Sequence, residues 1–485
     1  MYDFTYWNKQ YIGGEWIDGS SPTRYENVNP YNGETLSTLQ LANRDDIARA
    51  YEKAKQSQKA WEQLNPYNRA MVMEKAAALM VERADELIEI LIAESGSTRI
   101  KASIEAKSAF SMLKEAAKYP FQMNTTVHPS FVVGKENRVY CKPHGVVGII
   151  SPSNFPFILS LRAVAPALAT GNGVVLKPDS QTYISGGLFL AKLFEDAGLP
   201  KGVFNVVVGE IEEIGDTFIE HPVPRLISFT GSTETGRHIA QICGKHLKRL
   251  HLELGGNNPF IVLEDANIEK AVQAAVFGAF LHQGQICMSI NRIIVHKSRY
   301  EEFIRLFAEK VKKLKVGNPA EPDTFIGPLI NKNAIPRVLS LIEDAVQQGC
   351  RLILEGKAYD QFLEPYILAD VRNDMKIAQT ELFAPVACIL PVESEEEAIE
   401  IANDNSYGLS SAVFSGSIEH GVRVAQRIQA GMVHVNDQTV NDEPNIPFGG
   451  EKASGYGRFG GNWGLGEFTT TKWVSVQNEP RTFPF

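Results

Sequence analysis

At 485 residues the chain is too long for one compact core, which implies two or three domains. A composition of 44% hydrophobic and 22% charged residues is that of an ordinary globular protein, and a formal net charge of -9 argues against nucleic acid or acidic membrane surfaces as partners. No basic run overrides that average.

The segment Met1–Trp7 has neither the basic stretch nor the apolar core of a signal peptide. The best candidate for a membrane span, Ala163–Leu176, is interrupted by Pro166, Gly171, Asn172 and Gly173, so no span is expected. The five cysteines, at 141, 243, 287, 350 and 388, are odd in number and form no CxxC pair. That pattern predicts a reducing, cytoplasmic setting with no disulfide framework and no metal site.

In chain order, residues 46–118 carry Ala, Glu, Lys and Leu at helical spacing, as in Met73–Met80, and predict helices. Ser130–Val133 followed by Arg138–Cys141 predicts a pair of strands forming a hairpin. Short apolar runs then recur at Val146–Ile150, Gly173–Leu176, Phe204–Val208 and Leu226–Phe229, with segments of helical length between them. Strands alternating with helices imply a doubly wound parallel sheet, which binds ligands at the carboxyl ends of its strands. A second series, Pro259–Val262, Asn291–Val295 and Ala387–Pro391, predicts a second α/β domain, and Lys472–Val476 predicts a closing strand.

The motifs that carry chemistry sit at the ends of these strands. In Ser151-Pro152-Ser153-Asn154-Phe155-Pro156 the asparagine is either a plain turn former or an amide donor to a developing oxyanion. Lys177-Pro178 ends the next strand, where the lysine is either solvated or a contact for ribose or phosphate. Phe229-Thr230-Gly231-Ser232 opens into a helical segment. It reads as a capped glycine turn, or as a helix start that presents free N–H groups to a phosphate; the GxGxxG spacing of a dinucleotide fingerprint is absent. Glu253 leads Gly255-Gly256, and Cys287 follows Gly284-Gln285-Ile286. Alone, the glutamate reads as a surface or capping carboxylate and the cysteine as a buried structural thiol. Together in one chain they read as base and nucleophile of a reaction through a covalent intermediate.

With these motifs in place, the chain resembles the aldehyde dehydrogenase superfamily over essentially its full length. The resemblance rests on Ser153-Asn154-Phe155-Pro156, Leu176-Lys177-Pro178, Phe229-Thr230-Gly231-Ser232, Glu253-Leu254-Gly255-Gly256, Gly284-Gln285-Ile286-Cys287, Glu381-Leu382-Phe383-Ala384-Pro385 and Pro447-Phe448-Gly449-Gly450. It implies Cys287 as nucleophile, Glu253 as general base and Asn154 as oxyanion donor. It also implies an NAD or NADP site at Ser151, Pro152, Lys177, Ser180, Gly209, Gly231, Ser232, Leu254, Glu381 and Phe383. The substrate side would comprise Phe155, Arg162, Ile286 and Phe448. The domains implied are a cofactor domain over 1–121 and 144–254, a catalytic domain over 255–469, and an oligomerisation hairpin (122–143) with terminal strand (470–485). Exposed hairpin edges imply a homodimer or homotetramer.

Departures from the common family pattern bear on specificity. Ser180 stands where strictly NAD-dependent members often carry a glutamate, so both cofactors are expected, NAD slightly favoured. Arg162, Phe459, His434-Val435-Asn436-Asp437 and Asn441-Asp442-Glu443-Pro444 resemble the branch acting on benzaldehyde, salicylaldehyde and vanillin. Arg162 is expected either to stack on or hydrogen-bond an aromatic ring, or to form an ion pair between two helices. Ser153, Thr380 and Ala384 imply only local repacking. A cysteine hydrolase using His251 or His282 is a rival class, a CoA-acylating dehydrogenase a second and a broad-range or aliphatic aldehyde dehydrogenase a third. A non-enzymatic protein that keeps the fold is a further rival.

Overall fold

The computed structural model describes residues 2–485. Helices Arg44–Gln63, Pro66–Glu82, Ala84–Ser95 and Arg99–Ala116 form the first part of the chain after two short hairpins. Their limits are written locally. Asn43 and Asp46 make a capping box, Asn65 caps ahead of Pro66, and Gly96 leaves the third helix in the left-handed region.

The alternating segment folds into an eight-stranded sheet. Its centre is parallel, in the spatial order Phe204–Val206, Gly173–Lys177, Val146–Ile150, Leu226–Thr230, Arg249–Glu253. These strands are apolar runs because helices cover both faces of the sheet. Antiparallel strands Gln10–Ile12 and Glu15–Ile17 extend one edge, and Gly455–Tyr456 from far along the chain closes the other. The order reverses at Val146–Ile150, and such switch points open a crevice at the carboxyl ends of the strands. Asn154, Lys177, Gly231 and Glu253 all lie at that end.

A seven-stranded sheet holds Tyr366–Ala369, Val386–Val392, Ile290–His296, Asn258–Val262, Ser410–Phe414 and Met432–Val435 in parallel, with Arg351–Leu354 antiparallel at one edge. Glu253 ends a strand of the first sheet and Asn258 begins one of the second. Gly255-Gly256 is therefore the passage between them, and the carboxyl ends of one sheet face the amino ends of the other.

A three-stranded antiparallel sheet joins Thr469–Gln477, Lys135–Pro143 and Thr125–Pro129. The expected hairpin is present, but Ser130–Val133 is its turn and not one of its strands. Ser130 Oγ accepts from Val132 N (3.1 Å), Lys135 N donates to Val132 O (3.2 Å), and Gly134 takes a positive φ of 71°. Phe131 and Val133 are exposed at its tip, so their apolar character imitates a strand that no neighbour pairs with. No helix among the described residues is long and apolar enough to cross a membrane.

Candidate active site

Three segments converge where the two large sheets face each other. The first leaves the strand Val146–Ile150 through Asn154 and enters helix Pro156–Ala169. This helix start is fixed from behind: Glu105 Oε1 accepts from the N–H groups of Phe157 (2.9 Å) and Ile158 (3.1 Å). Glu105 is fully buried and paired with the equally buried Lys101, whose ammonium lies 4.1 Å from the centre of the Phe155 ring. A buried charge is tolerated only when paired and hydrogen-bonded, and both conditions hold here.

The second segment carries the thiol. His282, Gln283 and Gly284 adopt positive φ in succession (50°, 58° and 70°). For the two non-glycine residues that conformation costs on the order of 1–3 kcal/mol each, and it persists because the surroundings hold it. Gln283 Nε2 donates to Pro328 O (2.8 Å), Gln285 Oε1 accepts from Ile330 N (3.0 Å), and a Cβ at Gly284 would lie 2.3 Å from Ala384 O. Asn258 Nδ2 then donates to the carbonyls of Cys287 and Ser289 (2.8 Å each), and Thr439 Oγ1 donates to Met288 O (2.5 Å). Asn154 Nδ2 ties the first segment to the second by donating to Gln285 O (2.9 Å).

The third segment is Glu253-Leu254-Gly255-Gly256. Glu381 lies against it, its Oε1 accepting from Gly256 N (3.1 Å), and a Cβ at Gly255 would come within 2.3 Å of Glu381 Oε2. A side chain at position 255 would have to push that carboxylate aside.

Two cavities meet at Cys287 and Asn154. A cleft of about 600 Å³ is lined on the first-sheet side by Pro152, Asn154, Gly231, Ser232, Glu253 and Leu254. On the opposite side lie Cys287, Arg337, Glu381, Phe383 and Tyr407. Ser232 caps helix Thr233–Lys245 by accepting from Thr235 N (3.2 Å), and the start of that helix opens into the cleft. Ser153 and Thr380, which the sequence left without a role, line this cleft as well. A narrower channel of about 180 Å³ reaches the thiol from the other side, walled by Phe155, Arg162, Ile286, Met288, Asp442 and Phe448.

Ser151, Lys177, Ser180 and Gly209 are not part of the cleft wall. Ser151 Oγ bonds Ser160 Oγ (2.6 Å), Ser180 is buried in a turn after Asp179, and Gly209 packs on Ala42 O. Burial lowers the affinity of Lys177 for its proton, while the carboxylates of Asp179, Glu210 and Glu212 pull the other way.

The electrostatics of the junction are those of a resting site. Burial, with Glu381 and Glu253 adding to it, pushes the half-buried Cys287 thiol up to about 12, against the pull of the Arg162 guanidinium. Burial also raises Glu253, which His251, Arg162 and Arg458 oppose, and it raises Glu381 to about 7. Arg162 is pushed down to about 10 by burial. It pairs with Asp442, and its guanidinium sits 3.9 Å from the centre of the Phe448 ring and 5.7 Å from that of Phe459. The ion pair foreseen as an alternative therefore exists, but its partner lies in a segment without regular structure and not on a second helix. Arg162 Nη1 is buried without a partner.

Neither histidine is hydrogen-bonded to the thiol. His251 Nε2 faces Glu253 Oε1 at 3.4 Å, and the His282 ring meets Phe155 edge-on at 5.6 Å with both nitrogens unpartnered. Sequence reasoning missed Asn258, Thr439, Arg337, Tyr407 and the Lys101–Glu105 pair. Only Asn258, one residue beyond Asn257 and the double glycine, carried a visible signal.

Comparison with known proteins follows the same lines. The aldehyde dehydrogenase family profile matches residues 16–474. A benzaldehyde dehydrogenase of Bacillus subtilis is 52% identical over 485 residues, covering 100% of both chains. The crystal structure of an NAD-dependent benzaldehyde dehydrogenase from Corynebacterium glutamicum superposes with a TM-score of 0.89 at 42% identity, covering 98% of this chain and 99% of that one. That of a salicylaldehyde dehydrogenase from Pseudomonas putida G7, complexed with salicylaldehyde, gives 0.96 at 36% identity and covers 99% of each.

Proposed function

The chain belongs to the aldehyde dehydrogenase family, and from that premise we propose that it oxidises an aromatic aldehyde of the benzaldehyde, vanillin or salicylaldehyde type to the carboxylic acid, with NAD or NADP. The observation that carries this reading is the position of Cys287, whose thiol lies at the junction of a large polar cleft and a narrow aromatic channel. One space suits a dinucleotide and the other a flat ring.

The residues of the cleft fit the cofactor. The start of helix Thr233–Lys245 supports a pyrophosphate, and Glu381 over Gly255-Gly256 supports ribose hydroxyls. Bound NAD or NADP supplies the hydride acceptor, the one chemistry the side chains lack.

In this mechanism the Cys287 thiol loses its proton to solvent as its sulfur adds to the aldehyde carbon, giving a thiohemiacetal whose oxyanion is met by the Asn154 amide and the Cys287 N–H. Loss of hydride from that carbon leaves a thioester on Cys287. Glu253 takes a proton from water as its oxygen adds to the thioester carbonyl, and the acid departs with return of the thiol. Arg162 and Phe448 form the ring-binding wall. The guanidinium is held over the Phe448 ring by Asp442, and its unpaired Nη1 suits a ring hydroxyl. The thiol and oxyanion hole also support a side activity on activated esters, the residue of the hydrolase reading.

The test is a panel of benzaldehyde, vanillin, salicylaldehyde and hexanal with each cofactor and no CoA, followed through the absorbance of the reduced nicotinamide. Aromatic aldehydes are expected to show the higher kcat/KM. Preference for hexanal would overturn the substrate class, and a requirement for CoA would overturn the hydrolytic step.

The same proposal covers the division of labour, with residues 1–121 and 144–254 serving the cofactor and 255–469 the aldehyde. It also covers a cytoplasmic setting and a homodimer or homotetramer. Support for assembly is the three-stranded sheet, whose outer strand Thr125–Pro129 is exposed throughout and whose Trp473 is two-thirds exposed. Light scattering on the eluting protein reads the subunit number.

A further inference from the structure

The geometry assigns His251 as a positioning residue for Glu253, serving the hydrolytic half of the reaction and not hydride transfer. The inference rests on the reading of Glu253 as general base.

His251 and Glu253 are alternate residues of the strand Arg249–Glu253, so their side chains leave the same face. Both are buried, with 0% and 4% exposure. His251 Nε2 lies 3.4 Å from Glu253 Oε1, a long hydrogen bond of the kind that tightens when a site is loaded. The imidazole has no freedom to turn away. Its ring packs on Phe459 with centroids 4.1 Å apart, and Gly457 approaches so closely that a Cβ there would lie 2.3 Å from His251 Cδ2. On its other flank Glu253 Oε1 abuts Gly449, where a Cβ would come within 2.8 Å.

One carboxylate oxygen is thereby fixed and the other unpaired: Glu253 Oε2 is buried without a partner among the described residues, while the residue lines the cleft beside Cys287. That division of roles is what a base acting on water needs. The Nε2–H tautomer holds Oε1 and favours the ionised carboxylate, while Oε2 is available to receive the proton of water. The proton then returns to the Cys287 sulfur when the thioester breaks. The other charged or titratable groups that face the pair are Arg162, Arg458, Cys287 and Glu467, whose Oε1 shares with the imidazole the space in front of Gly457 and accepts from Arg458 N (3.1 Å). Both arginines favour the carboxylate, yet neither hydrogen-bonds it. His251 is the one directional contact. Hydride loss from the thiohemiacetal needs no base at Glu253, so that half-reaction has no call on the imidazole.

The test compares His251→Phe, which keeps a ring against Phe459 but lacks the donor, with His251→Gln, whose amide can reach Oε1. Rapid mixing with benzaldehyde and NAD reads both halves. For His251→Phe the initial burst of reduced nicotinamide is expected at the native rate. The steady state should be slower by about tenfold, short of the hundredfold or more lost with a general base, and the acid limb of kcat should move up by about one pH unit. The direction follows from losing a contact that favours the ionised base. Hydroxylamine, which attacks a thioester without a base, should restore turnover, and His251→Gln should stay close to native. His251→Met replaces the Phe variant if the latter does not fold. An unchanged steady state and acid limb, a burst that slows in step with turnover, or equal losses in the Phe and Gln variants would overturn the assignment. Glu253→Gln is the control. If it hydrolysed the thioester normally, the base itself would be misassigned, an outcome distinct from failure of His251.

Discussion

The cleft and the channel that meet at Cys287 are built in opposite ways. The cleft is made of backbone turns at strand ends, with Gly231, Leu254 and Gly255 each placed by the strand just before it. The channel is made of side chains brought from distant segments: Arg162 meets an aspartate 280 positions away, and Phe155 lies on a buried lysine more than fifty positions earlier. A backbone-built site serves a ligand that does not vary, whereas a side-chain-built site changes specificity by single substitutions without disturbing the other half.

The largest effect should come where the two halves join. Asn154→Ala is expected to lower kcat by about a hundredfold or more, since an oxyanion donor acts in the transition state, with the melting temperature lowered by only a few degrees for the lost bond to Gln285 O. A comparable fall in stability, read by thermal unfolding, would make the residue a structural tie between the two segments and blur the division.

The thiol reports the cleft side. With its pKa pushed up to about 12, Cys287 is uncharged in the ordinary pH range, and the thiolate fraction grows about tenfold per pH unit below the pKa. Alkylation by iodoacetamide without cofactor should climb through about pH 7 to 9 without levelling. NAD should accelerate it by bringing a cationic ring near the sulfur. A plateau already reached at neutral pH would mean that the resting thiol is ionised.

Channel changes should alter choice more than rate. Arg162→Leu removes the guanidinium–ring contact and its pairing with Asp442, and is expected to cut the preference for benzaldehyde over hexanal by about tenfold, the scale of a desolvated cation–π contact. The KM for NAD should stay put. An unchanged aldehyde ratio would leave Arg162 as the ion pair alone.

The smallest effect concerns cofactor choice. Ser180 is buried in its turn, while Asp179 and Glu210 lie about Lys177. Carboxylates near a 2′-phosphate disfavour it, so Glu210→Gln should raise kcat/KM for NADP relative to NAD by a few-fold. No change in that ratio would return the discrimination to Ser180.

The alternation of strand and helix, the passage at Gly255-Gly256 and the catalytic motifs were legible in the chain because each is a local pattern. A strand run or a capping serine needs only neighbours in sequence. Locality also misled: Ser130–Val133 is apolar enough for a strand and is a turn, because pairing depends on a partner that does not reach it. The sequence by itself determined which groups could act as nucleophile, base and oxyanion donor. The tertiary structure alone decided that Asp442 holds Arg162 against Phe448, that Asn258 grips the carbonyls flanking the thiol, and that His251 faces Glu253 and not Cys287. Those contacts join segments that only packing brings together, and burial in that packing sets the charge each group carries.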